Sequence, residues 1–410
     1  MTVDDRGHPG LLEPEPPRWQ GLDLPGQRIP DSTTSILIVG NLYDDPIPKI
    51  TTTRLASLLT ELRCVVGYIS GESFLNQPSQ TTRLTKFRVT ESIVGLTLES
   101  AKRQIGAVAR MRQRNFDVGI VMLSFLMLPC LYVKMRGKSL WIYAGGRASK
   151  SIAGEIQHGS PHRWPAYILM RIVEHLSFGL ADRIIVEARA GARFLGLEKY
   201  GDKLAIGGQC VDTHKFTVTT PLRERKQTVG YVGGLKREKG VAEFLQAAAI
   251  LASKRNDIDF TIVGTGPLAH SVADFVSSNR ALQSRVRLIG WAPRDLIPDI
   301  LNELSLLVLP SYSEGLPSIV LEAMACGTPV LASRVGAIPE ILIDSSTGFL
   351  LDDTDPGRTA ESIERVLGSG QLERVAKNAA EAVEKEYSVQ AALSFYAALV
   401  GKPGDQPAQA

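Results

Sequence analysis

Short apolar runs alternate with longer segments of helical periodicity through most of the chain, beginning near residue 34. Short runs of this kind, bounded by Gly, Pro or Ser, are typical of buried parallel strands. In the first half the pattern predicts helices over 51–62, 98–112 and 166–177. It predicts strands over 36–39, 65–69, 118–122, 140–143, 183–186 and 204–207. This alternation favours a parallel α/β domain over residues 34–212.

The alternation stops at a polar, basic segment over residues 213–227, which suits a linker between domains. It then restarts, with strands predicted over 229–232, 260–263, 286–289, 306–309, 329–332 and 348–351. Further helices are predicted over 241–254, 358–367 and 389–400. We therefore expect an α/β fold of two Rossmann-like, doubly wound domains that face a central cleft. The second domain is expected at 228–384, and a closing helix within 385–400 is expected to pack back on the first domain.

Composition agrees with a folded chain of two domains. The 410 residues are 44% hydrophobic and 22% charged, which is typical of globular proteins. The Pro-rich leader 1–33 and the tail 401–410 lack the apolar residues that ordering needs, so both are expected to be disordered. The longest apolar run, 118–133, is shorter than the roughly 20 residues of a spanning helix. Four scattered cysteines and the lack of a signal sequence predict a cytoplasmic protein.

Charge separates the two halves of the chain. Residues 34–212 hold 23 Lys and Arg against 14 Asp and Glu, a net charge of +9, and the total of +3 leaves about −6 for the remainder. The cations cluster near two predicted apolar segments, at Lys102, Arg103, Arg110, Arg112, Arg114, Lys134, Arg136 and Lys138. Basic residues beside apolar ones suit peripheral contact with the anionic inner face of a membrane. A packed helix with a solvated basic side explains the same pattern.

The segment from Ser313 to Val330 carries the sharpest chemical signal. Pro317 is expected to open a helix at its first position, and Gly327 is expected to end it. The helix is apolar nearly all round, yet it contains Glu322. A carboxylate in such a helix needs compensation, so it binds a ligand, forms a salt bridge or points to the surface.

The start of that helix suits an anion. Its first N–H groups and its positive dipole end, near Leu316 to Ile319, are able to hold a phosphate. Glu314 precedes this position, and Glu322 follows it. Two carboxylates that accept from hydroxyl groups, placed beside an anion site, match a nucleotide sugar, because that ligand carries both hydroxyls and a diphosphate.

Glu314 and Glu322, with seven residues between them, resemble the E-x7-E motif of the retaining glycosyltransferase family 4, one of the group 1 glycosyl transferases. The surrounding EGLPSIVLEAMACGTPVLAS resembles that family almost residue for residue. Further segments follow in family order: GLADRIIVEA, GGQCVDTHKF, YVGGLKREKG, FTIVGTGPL, VRLIGW, VGAIPEIL and TGFLL. The resemblance covers the chain from residue 179 to the last helix and implies the GT-B fold.

The resemblance implies a retaining glycosyltransferase that moves a hexose from a nucleotide sugar, UDP- or GDP-linked, to a hydroxyl acceptor in polysaccharide or glycolipid biosynthesis. It implies that Glu314 is catalytic and binds hydroxyls of the donor sugar. Glu322 would bind the ribose hydroxyls, and Lys239 would face the diphosphate. The donor is a substrate, so no cofactor is expected.

The remaining donor contacts implied by the resemblance come from backbone and loop residues. Sugar and phosphate would lie against the backbone of Gly315, Leu316, Pro317 and Ser318. The nucleotide base would lie beside Gly290 and Trp291. Because the leaving phosphate is able to take the acceptor proton in such enzymes, no protein general base is assigned.

The chain departs from the family at two places. Where the family has an arginine after the glycine of the first C-terminal strand, this chain has Gly234, so Lys236 or Arg237 is expected to take its place at the diphosphate. The loops at 40–45 and 143–147 lack the family's glycine pair and histidine. Those loops would contact the acceptor, whose identity the sequence leaves open; a lipid-linked acceptor is one option.

Other functions match less well. A catalytically silent GT-B homologue, acting as a nucleotide-binding or scaffolding partner, is favoured by Gly234 alone. A dehydrogenase would need G-x-G-x-x-G, whereas Gly264 and Gly266 are followed by Pro267. The residues 353–355 resemble a metal-binding D-x-D, but a polar turn explains them better. We therefore expect a metal-independent enzyme with no nucleic acid partner.

Overall fold

The computed structural model describes residues 34–39, 46–62, 64–69, 74–75, 93–122, 126–145 and 164–401. Several predictions concern residues outside these ranges: the leader 1–33, the tail beyond residue 401, the loop at 40–45 and positions 146–147. The chain divides into two compact units, Met1–Met122 with Leu126–Leu140 and Leu123–Phe125 with Trp141–Ala410. The domain boundaries expected from the sequence stay predictions.

The first sheet contains seven strands: β1 (Ser35–Val39), β2 (Val65–Ile69), β3 (Phe74–Leu75), β4 (Val118–Val121), β5 (Ser139–Tyr143), β6 (Arg183–Val186) and β7 (Leu204–Ile206). Their order is β3-β2-β1-β4-β5-β6-β7. Strand β2 pairs parallel with β1 and antiparallel with β3, and β6 pairs parallel with β5 and β7. The connecting helices are α1 (Pro46–Glu61), α2 (Ile93–Met111), α3 (Met127–Met135), α4 (Trp164–Leu180) and α5 (Arg189–Leu195).

The second sheet contains six strands: β8 (Thr228–Val232), β9 (Asp259–Val263), β10 (Val286–Ile289), β11 (Leu306–Leu309), β12 (Val330–Ser333) and β13 (Phe349–Leu351). Their order is β10-β9-β8-β11-β12-β13, and every neighbouring pair is parallel. The helices are α6 (Val241–Lys254), α7 (Ala269–Ser278), α8 (Ile297–Glu303), α9 (Ser318–Ala325), α10 (Ile338–Ile341), α11 (Pro356–Leu367), α12 (Leu372–Tyr387) and α13 (Val389–Val400). All four residues of β11 are buried, as its unbroken apolar sequence predicts.

The expectation of a fully buried strand is wrong for β10. It lies at the edge of the second sheet, so it has one neighbouring strand instead of two. Arg287 and Leu288 are consequently exposed. Arg287 interrupts the apolar run of β10, and the edge position leaves its charged side chain in contact with solvent.

Helix α13 packs on the segment that follows the first sheet, as expected. Gly207 and Gly208 come directly after β7 and face Phe395 and Tyr396 of this helix. A Cβ at Gly208 would lie 2.5 Å from the Tyr396 hydroxyl oxygen, so a larger residue does not fit there. The close contact fixes the closing helix against the end of β7.

Candidate functional site

The second sheet reverses its strand order between β8 and β11. In open α/β sheets, ligands bind in the crevice beyond the carboxyl ends of the strands at such a point. Two loops leave it, residues 233–240 after β8 and residues 310–317 after β11. The predicted diphosphate cations lie on the first loop, and Glu314 lies on the second. The topology therefore brings together the residues that are expected to contact the diphosphate and the donor sugar.

The two loops are in close contact. Gly240 has a φ of +70°, and a Cβ there would lie 1.9 Å from the carbonyl oxygen of Pro310. The Tyr312 N–H donates to the Glu238 carbonyl oxygen at 2.9 Å. Only glycine meets both the conformation and the space at position 240.

Lys239 and Glu314 meet across these loops. The Lys239 Nζ donates to Oε2 of Glu314 at 2.6 Å, and the Ser311 Oγ donates to Oε1 at 2.9 Å. The Glu314 side chain is 7% exposed and that of Lys239 is 32% exposed. The structure thus joins the residues that the sequence assigned to sugar and diphosphate, with Ser311 as an addition that the sequence did not indicate. A buried carboxylate beside an ammonium group is able to bind a hydroxyl and an oxyanion side by side.

The backbone of Glu314 is supported by the loop between β12 and α10. Gly336 has a φ of +57°, and a Cβ there would lie 2.1 Å from the Glu314 carbonyl oxygen. The Ala337 N–H donates to the Gly315 carbonyl oxygen at 2.9 Å. Gly336 is therefore a positioning residue for Glu314. It belongs to the VGAIPEIL segment noted in the sequence.

Glu322 lies on α9 and is buried. Its Oε1 accepts from Nη2 of Arg294 at 2.6 Å, and the guanidinium of Arg294 lies 5.7 Å from the ring centroid of Phe216. The salt-bridge alternative considered for Glu322 is thus realised. Because the Arg294 side chain is half exposed, the pair stands at the surface edge of the site, where a ligand is able to reach it. The sequence gave no signal for Arg294, which lies 28 positions before Glu322.

The start of α9 differs from the expectation by one residue. Pro317 is extended, with a ψ of 115°, and serves as the N-cap, so the helix begins at Ser318. Pro317 brings no side-chain cap, and Gln209 Nε2 donates to the Ser318 Oγ at 3.1 Å. Gly327 follows the helix with a φ of +63°, as predicted. The N-terminus of this eight-residue helix keeps the polarity that suits an anion.

Lys236 lies over Gly234. The atoms nearest to a Cβ built at Gly234 are the Cγ, Cδ and Cε of Lys236, at 3.8–3.9 Å. That spacing is ordinary van der Waals contact, so a side chain at position 234 has room. The Lys236 Nζ is 4.0 Å from Glu238 Oε1, and its side chain is exposed. Lys236 therefore stands beside the position where the family carries an arginine, and Arg237 follows it in the turn Arg237–Lys239.

The buried hydroxyl of Tyr231 supports the loop at Gly234. It donates to the Gly234 carbonyl oxygen at 2.9 Å. Burial, and then the negative charge of Glu314, raise the pKa of this phenol well above its usual range. The hydroxyl therefore stays protonated and acts as a donor to the loop.

Gly290 and Trp291, expected beside the base, follow the edge strand β10. The Gly290 carbonyl oxygen accepts from the Gly264 N–H at 3.1 Å. Nothing lies within 4 Å of a Cβ built at Gly290, and Trp291 is 67% exposed. The ring is thus accessible to a planar ligand on this side of the sheet.

Three other segments noted in the sequence have a clear local geometry. The N–H of Asp355 donates to Asp353 Oδ1 and the N–H of Arg358 donates to Asp355 Oδ1, which is turn and cap chemistry, as predicted. Gly264 and Gly266 follow β9 and pack against the backbone of Gly233 and Leu235 in the loop after β8. Cys326 is buried, and burial raises the pKa of its thiol to about 12, so it is a neutral packing residue.

A cavity of about 440 Å³ within the larger compact unit has Leu316 in its lining. Glu340 on its wall accepts the backbone N–H groups of Arg189, at 2.9 Å, and Ala190. It thereby caps α5, whose own N-cap residue, Ala188, has no side-chain acceptor. Glu187, bonded by the Tyr143 hydroxyl at 2.6 Å, also lines the cavity. The sequence did not indicate Glu340, because its partners lie about 150 positions earlier.

Comparisons with known proteins find glycosyltransferases among the relatives of this chain. The family model described as glycosyl transferases group 1 matches residues 213–383. The alpha-D-kanosaminyltransferase of Streptomyces kanamyceticus is 34% identical over 219 residues, which cover 52% of this chain and 56% of that protein. A D-inositol 3-phosphate glycosyltransferase of Corynebacterium urealyticum is 25% identical over 264 residues, covering 58% and 62%. The matched stretches span 34–56% of the length of the first three curated relatives.

Solved structures show the fold over a larger share of the chain. Sucrose-phosphate synthase from Thermosynechococcus elongatus aligns with a TM-score of 0.69 at 18% identity, covering 89% of this chain and 98% of that chain. The Anabaena protein HepE, solved in complex with UDP and glucose, aligns with a TM-score of 0.61 at 15% identity, covering 88% and 98%. This likeness confirms the predicted two-domain α/β fold of the GT-B type.

Proposed function

We propose, since residues 213–383 form a domain of the group 1 glycosyl transferases, that this chain is a retaining glycosyltransferase of family 4. It would move a hexose from a nucleoside diphosphate sugar to a hydroxyl acceptor. The observation that carries this proposal is the pairing of Lys239 with Glu314 at the switch point of the second sheet, beside the N-terminus of α9.

The charges around the switch point suit the departure of a nucleoside diphosphate. Negative charge grows on the leaving phosphate as the glycosidic bond breaks, so fixed cations and N–H groups there lower the barrier. Lys239 and the backbone from Gly315 to Ser318 would supply them, with Lys236 or Arg237 in support. Because these groups carry the positive charge, the proposed reaction is independent of a metal ion.

The carboxylates would orient the donor. Glu314 would accept hydroxyl groups of the sugar, and Glu322 would accept those of the ribose, so the anomeric carbon stands at a fixed place beside Lys239. The acceptor oxygen bonds to that carbon on the face from which the phosphate oxygen departs, and the departing oxygen takes the acceptor proton. The configuration of the sugar is therefore retained.

The base of the donor would lie against Gly290 and Trp291. The UDP found in HepE supports a uridine donor, and GDP remains the alternative. The exposed indole of Trp291 is able to cover either base. A screen of nucleotide sugars is therefore needed to tell a UDP-linked donor from a GDP-linked one.

The proposed acceptor belongs to polysaccharide or glycolipid biosynthesis in the cytoplasm, with a lipid-linked acceptor at the inner face of the membrane as one option. Support comes from the smaller compact unit, where Lys102 and Arg112 are exposed and Ile105 is 60% exposed. Met111 of the same helix is buried, so only part of the expected apolar face is free to meet lipid. Reversing the charge of Arg112 should weaken flotation with anionic liposomes; unchanged flotation would count against contact through this helix.

The proposed activity is tested by incubating the full chain with a panel of nucleotide sugars and candidate hydroxyl acceptors. Release of nucleoside diphosphate and the anomeric configuration of the product are the readouts. We expect turnover of one donor class with retention, lost in Glu314→Gln and kept in the matched surface variant Glu361→Gln. An inverted product would contradict the retaining mechanism, and nucleotide binding without turnover would favour the silent GT-B partner instead.

A further inference from the structure

Helix α4 exposes a continuous apolar stripe. Five large side chains of this 17-residue helix are each 50–53% exposed: Trp164, Ile168, Leu169, Ile172 and Leu176. Four of them recur every four residues and so share one face over about 18 Å, with Leu169 alongside. Contiguous exposed apolar surface of this extent marks a contact site on a folded protein.

The opposite face fixes the helix to the protein. Glu174, Ser177 and Phe178 are buried there, and the Phe178 ring stands 5.7 Å from the ring of Tyr200. The helix is therefore anchored through its C-terminal half, and its stripe faces away from the core of its own unit.

Charge along the helix is one-sided. Arg171 and His175 are its exposed ionisable residues, and its single carboxylate, Glu174, is buried. Lys199 lies near the C-terminal end of α4, with its Nζ 3.2 Å from Nδ1 of His175. The acids Glu198 and Asp202 accompany the two lysines of the neighbouring turn, so that turn is neutral and Arg171 is the exposed cation of the helix.

Aromatic rings border the stripe at its N-terminal end. Trp164 and Tyr167 are edge to face with centroids 5.4 Å apart. The Arg171 guanidinium lies 5.8 Å from the Tyr167 centroid and donates to its hydroxyl at 3.2 Å. An apolar face flanked by indole, phenol and guanidinium groups is the composition that settles at the headgroup level of a bilayer.

A second copy of the chain fits this face less well. The stripe is centred near residue 170, so two copies related by a two-fold axis would bring Arg171 close to its own counterpart. No exposed carboxylate of α4 stands there to compensate the two like charges. Anionic lipid headgroups supply that compensation and a copy of the helix does not.

We propose that α4 docks in the interface of an anionic phospholipid membrane, with the stripe in the acyl boundary and Arg171 among the phosphates. None of the helices in the described ranges is long and apolar enough to cross a bilayer, so the geometry is that of a helix lying in the surface. The inference deepens the proposed function, on which it rests for a membrane-bound acceptor, by naming the partner.

The test is flotation of the full chain with vesicles of phosphatidylglycerol in phosphatidylcholine and with phosphatidylcholine alone. We expect binding to the anionic vesicles, weakened about tenfold or more in Ile168→Ser with Ile172→Ser because apolar area is lost. The control variant Ile343→Ser, whose side chain is also more than half exposed but lies after α10, should bind as the unaltered chain does. Arg171→Glu, on an exposed site, should reduce binding to anionic vesicles specifically.

Three outcomes would overturn the proposal: no flotation, equal flotation of the α4 variants, or a concentration-dependent dimer in sedimentation that Ile168→Ser with Ile172→Ser dissolves. Thermal unfolding of each variant verifies that the fold is retained, and Arg171→Glu serves if the double variant does not fold. Release of nucleoside diphosphate from a soluble donor, measured on the same preparations, separates the two proposals. Loss of flotation with release unchanged defeats the membrane surface alone, and flotation without release defeats the proposed activity alone.

Discussion

The two carboxylates of the candidate site are equally buried but differently held. Glu314 and Glu322 have side chains 7% and 8% exposed. Glu314 receives bonds on both oxygens, from Lys239 and from Ser311, and its backbone is locked by Gly336. Glu322 is bonded by Arg294, a half-exposed residue of the loop after β10.

We expect the region around Glu314, the reacting end, to contact the sugar that is transferred. We expect the region around Glu322, the binding end, to hold the nucleotide. The partners of Glu314 sit at the carboxyl ends of β8 and β11, where the strand order reverses and a ligand has least freedom. Arg294 is free to rearrange when a ligand replaces it at Glu322, because half of its side chain faces solvent. Changes at the first place should therefore act on turnover, and changes at the second on affinity.

The largest effect is expected for Glu314→Gln. The change keeps the size of the side chain and removes the charge that orients the donor, so kcat should fall roughly a hundredfold or more. Steady-state assays against Glu361→Gln, an exposed helical control, measure it. Turnover near that of the control would remove Glu314 from the reacting end.

Glu322→Ala should act mainly on nucleotide affinity. A hydrogen bond from the ribose to a charged group would be lost, in a part of the donor that does not react, which weakens binding by about tenfold to a hundredfold. Isothermal titration with nucleoside diphosphate gives the number, and kcat at saturating donor should change far less. An unchanged dissociation constant would end the distinction between the two carboxylates.

A smaller effect is expected for Arg294→Ala. The arginine holds Glu322 in place and is half exposed, so solvent screening limits its contribution and affinity should fall by up to about fivefold. Arg294→Lys should restore part of the loss, because it retains the charge. A loss of kcat equal to that of Glu314→Gln would show that the two ends are not separate.

The smallest effect concerns Gly234. Lys236→Ala should reduce turnover by about twofold to fivefold if this exposed lysine replaces the family's arginine. Gly234→Arg should then compensate, since the space beside Gly234 admits a side chain. Silent Lys236→Ala and Arg237→Ala variants would contradict the replacement.

Sequence periodicity predicted the strands of both sheets to within one residue, apart from β3, because each is a compact apolar run. Helix α12 escaped prediction: its buried face is Val375, Ala376, Ala379 and Val383, and alanines conceal an apolar stripe among charged residues. The continuous E-x7-E motif predicted Glu314 and Glu322 as site residues, and a Lys-Gly pair predicted Lys239. Arg294 and Glu340 could not be predicted in this way, since each reaches its partner only through the three-dimensional fold.

Thermal shift of the full chain with uridine and guanosine diphosphates and their sugars tests whether Glu314 and Glu322 organise a donor site. A ligand that binds only the folded state raises the Tm in proportion to the logarithm of its concentration over Kd. One nucleotide class should raise the Tm of the unaltered chain and of Glu361→Gln, and Glu322→Ala should lose most of the shift. No shift with any nucleotide, or an equal shift in Glu322→Ala, would contradict a donor site organised by these carboxylates.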